Sequence, residues 1–167
     1  MLEINNYSYN KETILEIGKF AVMWNFFEYD KFNKECEVSK IKDYVAKLNI
    51  TEELVAKCYD LRDKLRDYLM WHEIVDVKTI WKKFYTKKKK VKNNDGSWQL
   101  IKPINDYVFE YLNNMPLNNI QLLEGCLYVC LRLRNNLFHG VKLYCSLDDQ
   151  IEIFKALNNL LEEILNS

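Results

Sequence analysis

The stretch PLNNIQLLEGCLYVCLRLRNNLFHG, from Pro116 to Gly140, decides the fold class. Within it Ile120, Leu123, Leu127, Cys130, Leu131 and Arg134 recur at three- and four-residue steps, the spacing of one helix face. Pro116 suits a helix start, because its missing N–H is not needed in the first turn. Gly140 stands where a C-cap glycine belongs, just past Phe138. The spacing therefore predicts one long helix ending near Phe138.

The same periodicity appears on both sides of this stretch. A first helix is expected from about Asn10, a plausible N-cap, to about Lys34, with Ile14, Ile17, Ala21, Trp24 and Phe27 facing inward. Glu28 follows Trp24 by four residues and so lies beside that face, where an unpaired charge would be costly. A short helix is expected over about Ser39 to Leu48. Another opens at Thr51 with Leu54, Cys58, Leu61, Leu65, Tyr68 and Leu69 as its apolar stripe, and its pattern runs on to about Phe84. Lys87 to Ser97 reads as a basic loop with an Asp95-Gly96 turn, and a small hairpin with Trp98 to Ile101 is possible. Pro103 suits the start of a helix to about Asn113. A last helix over about Leu147 to Leu165 opens on Asp148 and Asp149, which favour the positive end of a helix dipole. The expected fold is an all-α helical bundle with a basic loop insertion, and the 167 residues fit one domain, residues 1–167.

Composition agrees with this class and narrows the function. Apolar residues make up 49% of the chain and charged residues 29%, enough for a real core. Glycine (4) and proline (2), the two helix breakers, are scarce. With 24 basic and 24 acidic side chains the formal net charge is zero, so binding of nucleic acid by bulk charge is excluded, whereas a local basic patch is not. No basic segment followed by an apolar run marks the first residues as a signal peptide, and no apolar run is long enough for a membrane span, so a cytoplasmic location is expected. The five cysteines are odd in number and scattered, which does not suit a disulfide framework. Cys126 and Cys130 share a helix face and are expected to pack as small hydrophobes rather than to bind metal. His72, among Met70 and Trp71, is expected to be structural.

The end of the Pro116 helix carries the chemistry. Asn135 and His139 are four apart and share a face. Arg134 lies roughly 140° around from His139 by the helical period. Imidazole can take and give protons near neutral pH. Guanidinium donors match phosphate oxygens, and an asparagine can orient the imidazole or bind a phosphate oxygen. Together they suit attack by a ribose 2′-OH on its neighbouring phosphodiester, which needs no metal. The same residues can equally serve a helix C-terminus, where cations favour the dipole and its carbonyls.

Arg134-Asn135-Asn136-Leu137-Phe138-His139-Gly140 closely resembles the Arg-x4-His signature of HEPN domains, and with Val141-Lys142 it looks especially like the Apea-like branch. Trp24-Asn25-Phe26-Phe27-Glu28-Tyr29 resembles that branch's early helix, where an aromatic-Glu-Tyr sequence is typical. The motif also precedes one final helix, as the family expects. The resemblance implies a HEPN-like helical bundle that forms a homodimer, in which the two motif helices meet and build one composite ribonuclease site. It implies no cofactor and no metal. Arg134, Asn135 and His139 match position by position as catalytic residues, and Glu28 matches the acid expected to pair with Arg134. The implied activity is that of a metal-independent endoribonuclease in bacterial defence or a toxin–antitoxin system, with RNA as substrate and an antitoxin or regulatory protein as a further partner. The alternative is a non-catalytic HEPN-type module that binds RNA or protein, or a dimeric scaffold with a structural Arg–Glu pair. Arg132 and Lys142 flank the motif, and Lys87, Lys88, Lys89 and Lys90 form a run, so both sets are candidate RNA contacts or ordinary solvated surface.

Overall fold

A computed structural model describes residues 2–4, 7–71, 90–93, 95–100, 117–138 and 147–167. The fold is all-α. Five helices are described: α1 (Lys11–Phe32), α2 (Val38–Val45), α3 (Glu52–Trp71), α4 (Asn119–Phe138) and α5 (Ile151–Asn166), the last entered through a 3₁₀ turn at Asp148–Gln150. Two small antiparallel hairpins accompany them. One pairs β1 (Leu2–Ile4) with β2 (Tyr7–Tyr9), and the other pairs β3 (Lys90–Lys92) with β4 (Trp98–Leu100).

Three of the helices, α1, α3 and α4, start where the sequence supplies a side-chain cap, whereas α2 and α5 start without one. The Asn10 side chain accepts from the Glu12 N–H at 3.1 Å, and Thr51 Oγ1 accepts from the Leu54 N–H at 3.1 Å. Asn118 and Gln121 form a reciprocal pair at the head of α4. Asn118 Oδ1 accepts from the Gln121 N–H at 2.9 Å, and Gln121 Oε1 accepts from the Asn118 N–H at 3.3 Å. The cap of α4 is thus Asn118 rather than the proline two residues before it.

Helix α5 packs against α1 and α3, while α4 packs against α2 and α3. Polar ties fix the first of these contacts. Asn158, fully buried, donates to the Glu16 backbone carbonyl at 3.0 Å and to its carboxylate at 2.7 Å. Lys155 bridges Glu12 at 2.8 Å, and Lys19 reaches Glu162 at 3.6 Å. These partners ascend together along both helices, so α1 and α5 run in the same direction. The Asp148 carboxylate accepts from the Asn10 N–H, joining the starts of the two helices.

The buried face of α1 includes Trp24 and Phe27 as expected, but it is centred differently. Thr13, Phe20, Trp24, Phe27, Glu28 and Phe32 are buried, whereas Ile14 and Ile17 pack at its edge. Aromatic side chains remove the most apolar area from water, so their positions set the rotation of the helix. Phe20 lies 5.8 Å from Phe154 of α5, centroid to centroid, and Phe27 lies 5.7 Å from Tyr44 of α2, so one aromatic row joins three helices.

Helix α4 is also more deeply set than a one-sided stripe predicts. Every residue from Leu122 to Leu131 is buried, over nearly three turns, while Ile120 is exposed. A helix covered on all sides needs apolar residues all round, and this segment has them in Leu122, Tyr128 and Val129 as well as in the expected stripe.

The basic loop expected over Lys87 to Ser97 is a hairpin in part, since Lys90–Lys92 is strand. Asp95 and Gly96 form the turn as expected. Gly96 has φ +83°, which glycine adopts without strain, and the Asp95 carboxylate accepts from the Ser97 N–H at 2.8 Å and its hydroxyl at 2.6 Å. Those hydroxyl and backbone bonds hold the Asp95 carboxyl below its usual range. The helix expected after Pro103 and the continuation of the α3 pattern to Phe84 lie outside the described residues.

Candidate functional site

Two helix ends meet at the site. The first is the C-terminus of α1, where Asn33 takes the left-handed conformation at φ 52° and Lys34 follows at φ 83°. Asparagine tolerates this region, and a helix commonly stops on such a residue. The reversal brings the Lys34 N–H to the Glu28 backbone carbonyl at 3.0 Å. It also carries the Cys36 N–H back to Glu28 Oε1 at 3.3 Å. One oxygen of a buried carboxylate thereby receives a backbone donor that would otherwise go unmet.

The second helix end is that of α4. Arg134 Nη2 donates to Glu28 Oε2 at 3.0 Å, and Arg134 Nη1 donates to Asn135 Oδ1 at 2.9 Å. The Glu28 side chain is 8% exposed and that of Arg134 is 29% exposed. The carboxylate is thus held from inside the protein, with both oxygens engaged, and the guanidinium still reaches solvent. A charge-assisted bond of this kind fixes the pose of the guanidinium and offsets the cost of burying Glu28.

The pairing of Glu28 with Arg134 across 106 residues is the contact that the motif resemblance anticipates, and here it joins α1 to α4. The expected Asn135 is at the same place, bonded to the arginine rather than standing apart. Arg132 is half-buried two residues earlier, so it projects about 160° around α4 from Arg134. Lys90 opens β3. His139, Lys142, Lys87, Lys88 and Lys89 lie outside the described residues, as do Gly140 and His72.

Cys36 is the neighbour that the sequence does not advertise. Burial pushes its thiol up to about 12, the Glu28 carboxylate pushes the same way, and Arg134 opposes them. The thiol therefore stays protonated at neutral pH and is no nucleophile. Cys58, Cys126 and Cys130 form a buried thiol cluster where α3 meets α4. The hydrogen bond to Cys126, and then burial, raises Cys58; burial first, and then the bond to Cys126, raises Cys130. None of these four cysteines is in a disulfide, and they pack as small apolar groups. Among the described residues, no three His, Cys, Asp or Glu side chains are disposed to hold a metal ion. Cys145 lies outside the described residues.

The signal for the Cys36 contact was a local one. Asn33 directly follows the α1 pattern and is a typical left-handed stop, which turns the chain back toward the last turn of its own helix. In comparisons with known proteins, the chain matches no family model, no curated protein and no solved structure.

Proposed function

We propose that this chain is a metal-independent endoribonuclease built on a HEPN-like bundle, with Arg134, Asn135 and His139 as its catalytic residues and Glu28 as the supporting acid. The observation that carries the reading is the Glu28–Arg134 ion pair at 3.0 Å, made by a buried carboxylate with a partly exposed arginine in the helix that leads into His139. With its pose fixed by Glu28, the arginine keeps 29% of its side chain exposed, where a phosphate can approach it.

In this mechanism His139 takes the proton of a ribose 2′-OH. The 2′-oxygen forms a bond to the adjacent phosphorus, and the bond from phosphorus to the 5′-oxygen breaks. A proton goes to the leaving 5′-oxygen from the His139 of a second copy, and a 2′,3′-cyclic phosphate remains. Arg134 stabilises the charge that gathers on the phosphate oxygens, and Asn135, whose Oδ1 accepts from Arg134, positions His139 or the phosphate. General acid–base catalysis of this type typically contributes ~10²- to 10⁴-fold. A homodimer in which the ends of two α4 helices meet would supply both histidines. The setting proposed is a cytoplasmic bacterial defence or toxin–antitoxin system, with an antitoxin or regulatory protein as control. Among the described residues no helix is long and apolar enough to cross a membrane.

The test compares wild type with His139→Ala on mixed cellular RNA, with chelator present and DNA as control. Cleavage by wild type alone, sparing DNA and leaving 2′,3′-cyclic phosphate ends, is expected. Equal cleavage by the variant would remove His139 from the mechanism. Neutralising Lys87 to Lys90 together, or Arg132 and Lys142, is expected to weaken RNA binding and flatten its salt dependence. An unchanged salt slope would remove those residues from the interface.

One observation favours a second reading, a non-catalytic binding module or scaffold. Both Nη atoms of Arg134 are engaged within the chain, by Glu28 and Asn135, as a purely structural arginine would be. A folded, dimeric wild type that cuts no RNA in any pool tested selects this reading.

A further inference from the structure

Helix α1 has two apolar faces, and among the described residues only one of them is covered. Phe20, Trp24 and Phe27 fill the core. On the opposite side Leu15, Val22, Phe26 and Tyr29 are between 64% and 68% exposed. Advancing 100° per residue, these four and Gly18 fall within a strip about 80° wide, running straight along the helix. Four large apolar side chains in one row exceed the scattered exposure of an ordinary surface.

Gly18 supplies an independent observation. It lies inside a 22-residue helix, is exposed, and a Cβ there would meet nothing within 4 Å. Glycine is the poorest helix former after proline, and the described residues give no reason for it at this position. A close approach by something outside the chain gives one.

We infer that the Leu15–Tyr29 face of α1 pairs antiparallel with the same face of a second copy of this chain, on a two-fold axis at Val22. The spacing of the strip is what selects a second copy as the occupant. Leu15 and Tyr29 are each seven residues from Val22, and Gly18 and Phe26 are each four residues from it. An antiparallel two-fold at Val22 therefore sets Leu15 against Tyr29 of the partner subunit and Gly18 against Phe26 of the partner subunit. Val22 meets its own copy. The largest gap in the strip faces one of its largest side chains, twice, which is the self-complementarity that an isologous interface needs. Members of each layer also lie on opposite sides of the strip's midline, as facing layers do in antiparallel helix pairs.

Charge does not oppose the pairing. Lys19, Asp30 and Glu12, which border the strip, are paired within their own chain to Glu162, Lys31 and Lys155. The four apolar side chains expose on the order of 500 Å² per copy, taking aromatic side chains as 150–250 Å² when whole. Two copies thus offer at most about 1,000 Å² from these side chains, the lower limit for a specific interface, and flanking surface adds to it.

This surface is separate from the proposed ribonuclease site and does not rest on it. Glu28 lies six residues from Val22 and faces inward, so the two Glu28–Arg134 pairs would sit some 18 Å apart along the helix axes, at opposite ends of the contact. Pairing through α1 joins two copies without merging those sites.

The experiment reads assembly alone and needs no RNA. The full chain is weighed by sedimentation equilibrium across a concentration series. Val22→Glu sets two carboxylates on the axis and is expected to halve the assembly mass with unchanged helical circular dichroism. Gly18→Leu has open space within its own chain, so it folds, and it is expected to raise the dissociation constant at least tenfold by filling the gap opposite Phe26. Cysteine variants then test direction with diamide as oxidant, which takes up two electrons and two protons as two thiols join. Val22→Cys is expected to crosslink to itself. Leu15→Cys is expected to crosslink with Tyr29→Cys and not with itself. A wild type that is monomeric at every concentration, a Val22→Glu mass equal to wild type, or self-crosslinking of Leu15→Cys would overturn the inference.

Discussion

Replacing Glu28 by Gln removes one charge from the join between α1 and α4 while keeping its shape. Gln Oε1 can still accept from the Cys36 N–H, but its amide then faces Arg134 Nη2 across a gap that is now 3.0 Å, donor against donor. The loss includes one charge-assisted hydrogen bond, about 1.5–3 kcal/mol. Breaking a fully buried ion pair costs about 3–5 kcal/mol, because the remaining charge is left in a dry site. Arg134 keeps 29% of its side chain exposed, so water screens it in part and the lower figure applies. The expected destabilisation is about 2 kcal/mol for Glu28→Gln. Glu28→Ala also leaves the Cys36 N–H unmet and is expected to cost about 3 kcal/mol. The assay is urea unfolding at neutral pH, followed by circular dichroism, for wild type, Glu28→Gln, Arg134→Gln and the double variant. A coupling energy near 2 kcal/mol in that cycle is expected. Coupling below about 0.5 kcal/mol, the value of an exposed pair, would falsify the claim that the pair anchors α1 to α4.

Alkaline pH probes the same corner of the protein. The Cys36 thiol is raised from 9.0 to about 12 by burial, then by Glu28. Its stabilising contribution is therefore complete below pH 9 and is lost as pH rises toward 12, since only the unfolded chain releases the proton in that window. Cys36→Ala is expected to make the fall in stability above pH 9 shallower by about 1.4 kcal/mol per pH unit, measured as urea midpoints on either side of pH 9. Identical slopes for the two proteins would contradict the assignment. In the core, Leu127 is fully buried at the middle of α4. Leu127→Ala is expected to cost about 3–5 kcal/mol, the upper part of the range for such truncations, because helix α4 is enclosed on every side there. A cost under about 2 kcal/mol by denaturant unfolding would show that its surroundings collapse readily onto the gap.

Much of the local structure was legible along the chain. Asn10 caps α1, Thr51 caps α3 and Asp95-Gly96 makes the turn, each through a side chain or a φ value that acts within a few residues. The order of the described helices and the all-α class followed from three- and four-residue apolar steps. Which residues of α1 face inward followed only in part, Trp24 and Phe27 as expected and Phe20 not. Ile14 and Phe20 are both apolar and both lie on helical faces that could turn inward, and the aromatic partner Phe154 from another helix decides for Phe20. The reciprocal Asn118–Gln121 cap was hidden behind the more obvious Pro116, although both of its residues are close neighbours.

The site divides in the same way. The sequence alone places Arg134 and Asn135 on one helix end and sets Glu28 beside an apolar face, because helical spacing is a short-range rule. That Glu28 meets Arg134, that Cys36 closes on the same carboxylate, and that the strip from Leu15 to Tyr29 is left uncovered were decided only by tertiary structure. Contacts between residues a hundred positions apart depend on how whole helices are rotated and packed, and that is settled by the summed burial of the core rather than by any neighbour in the chain.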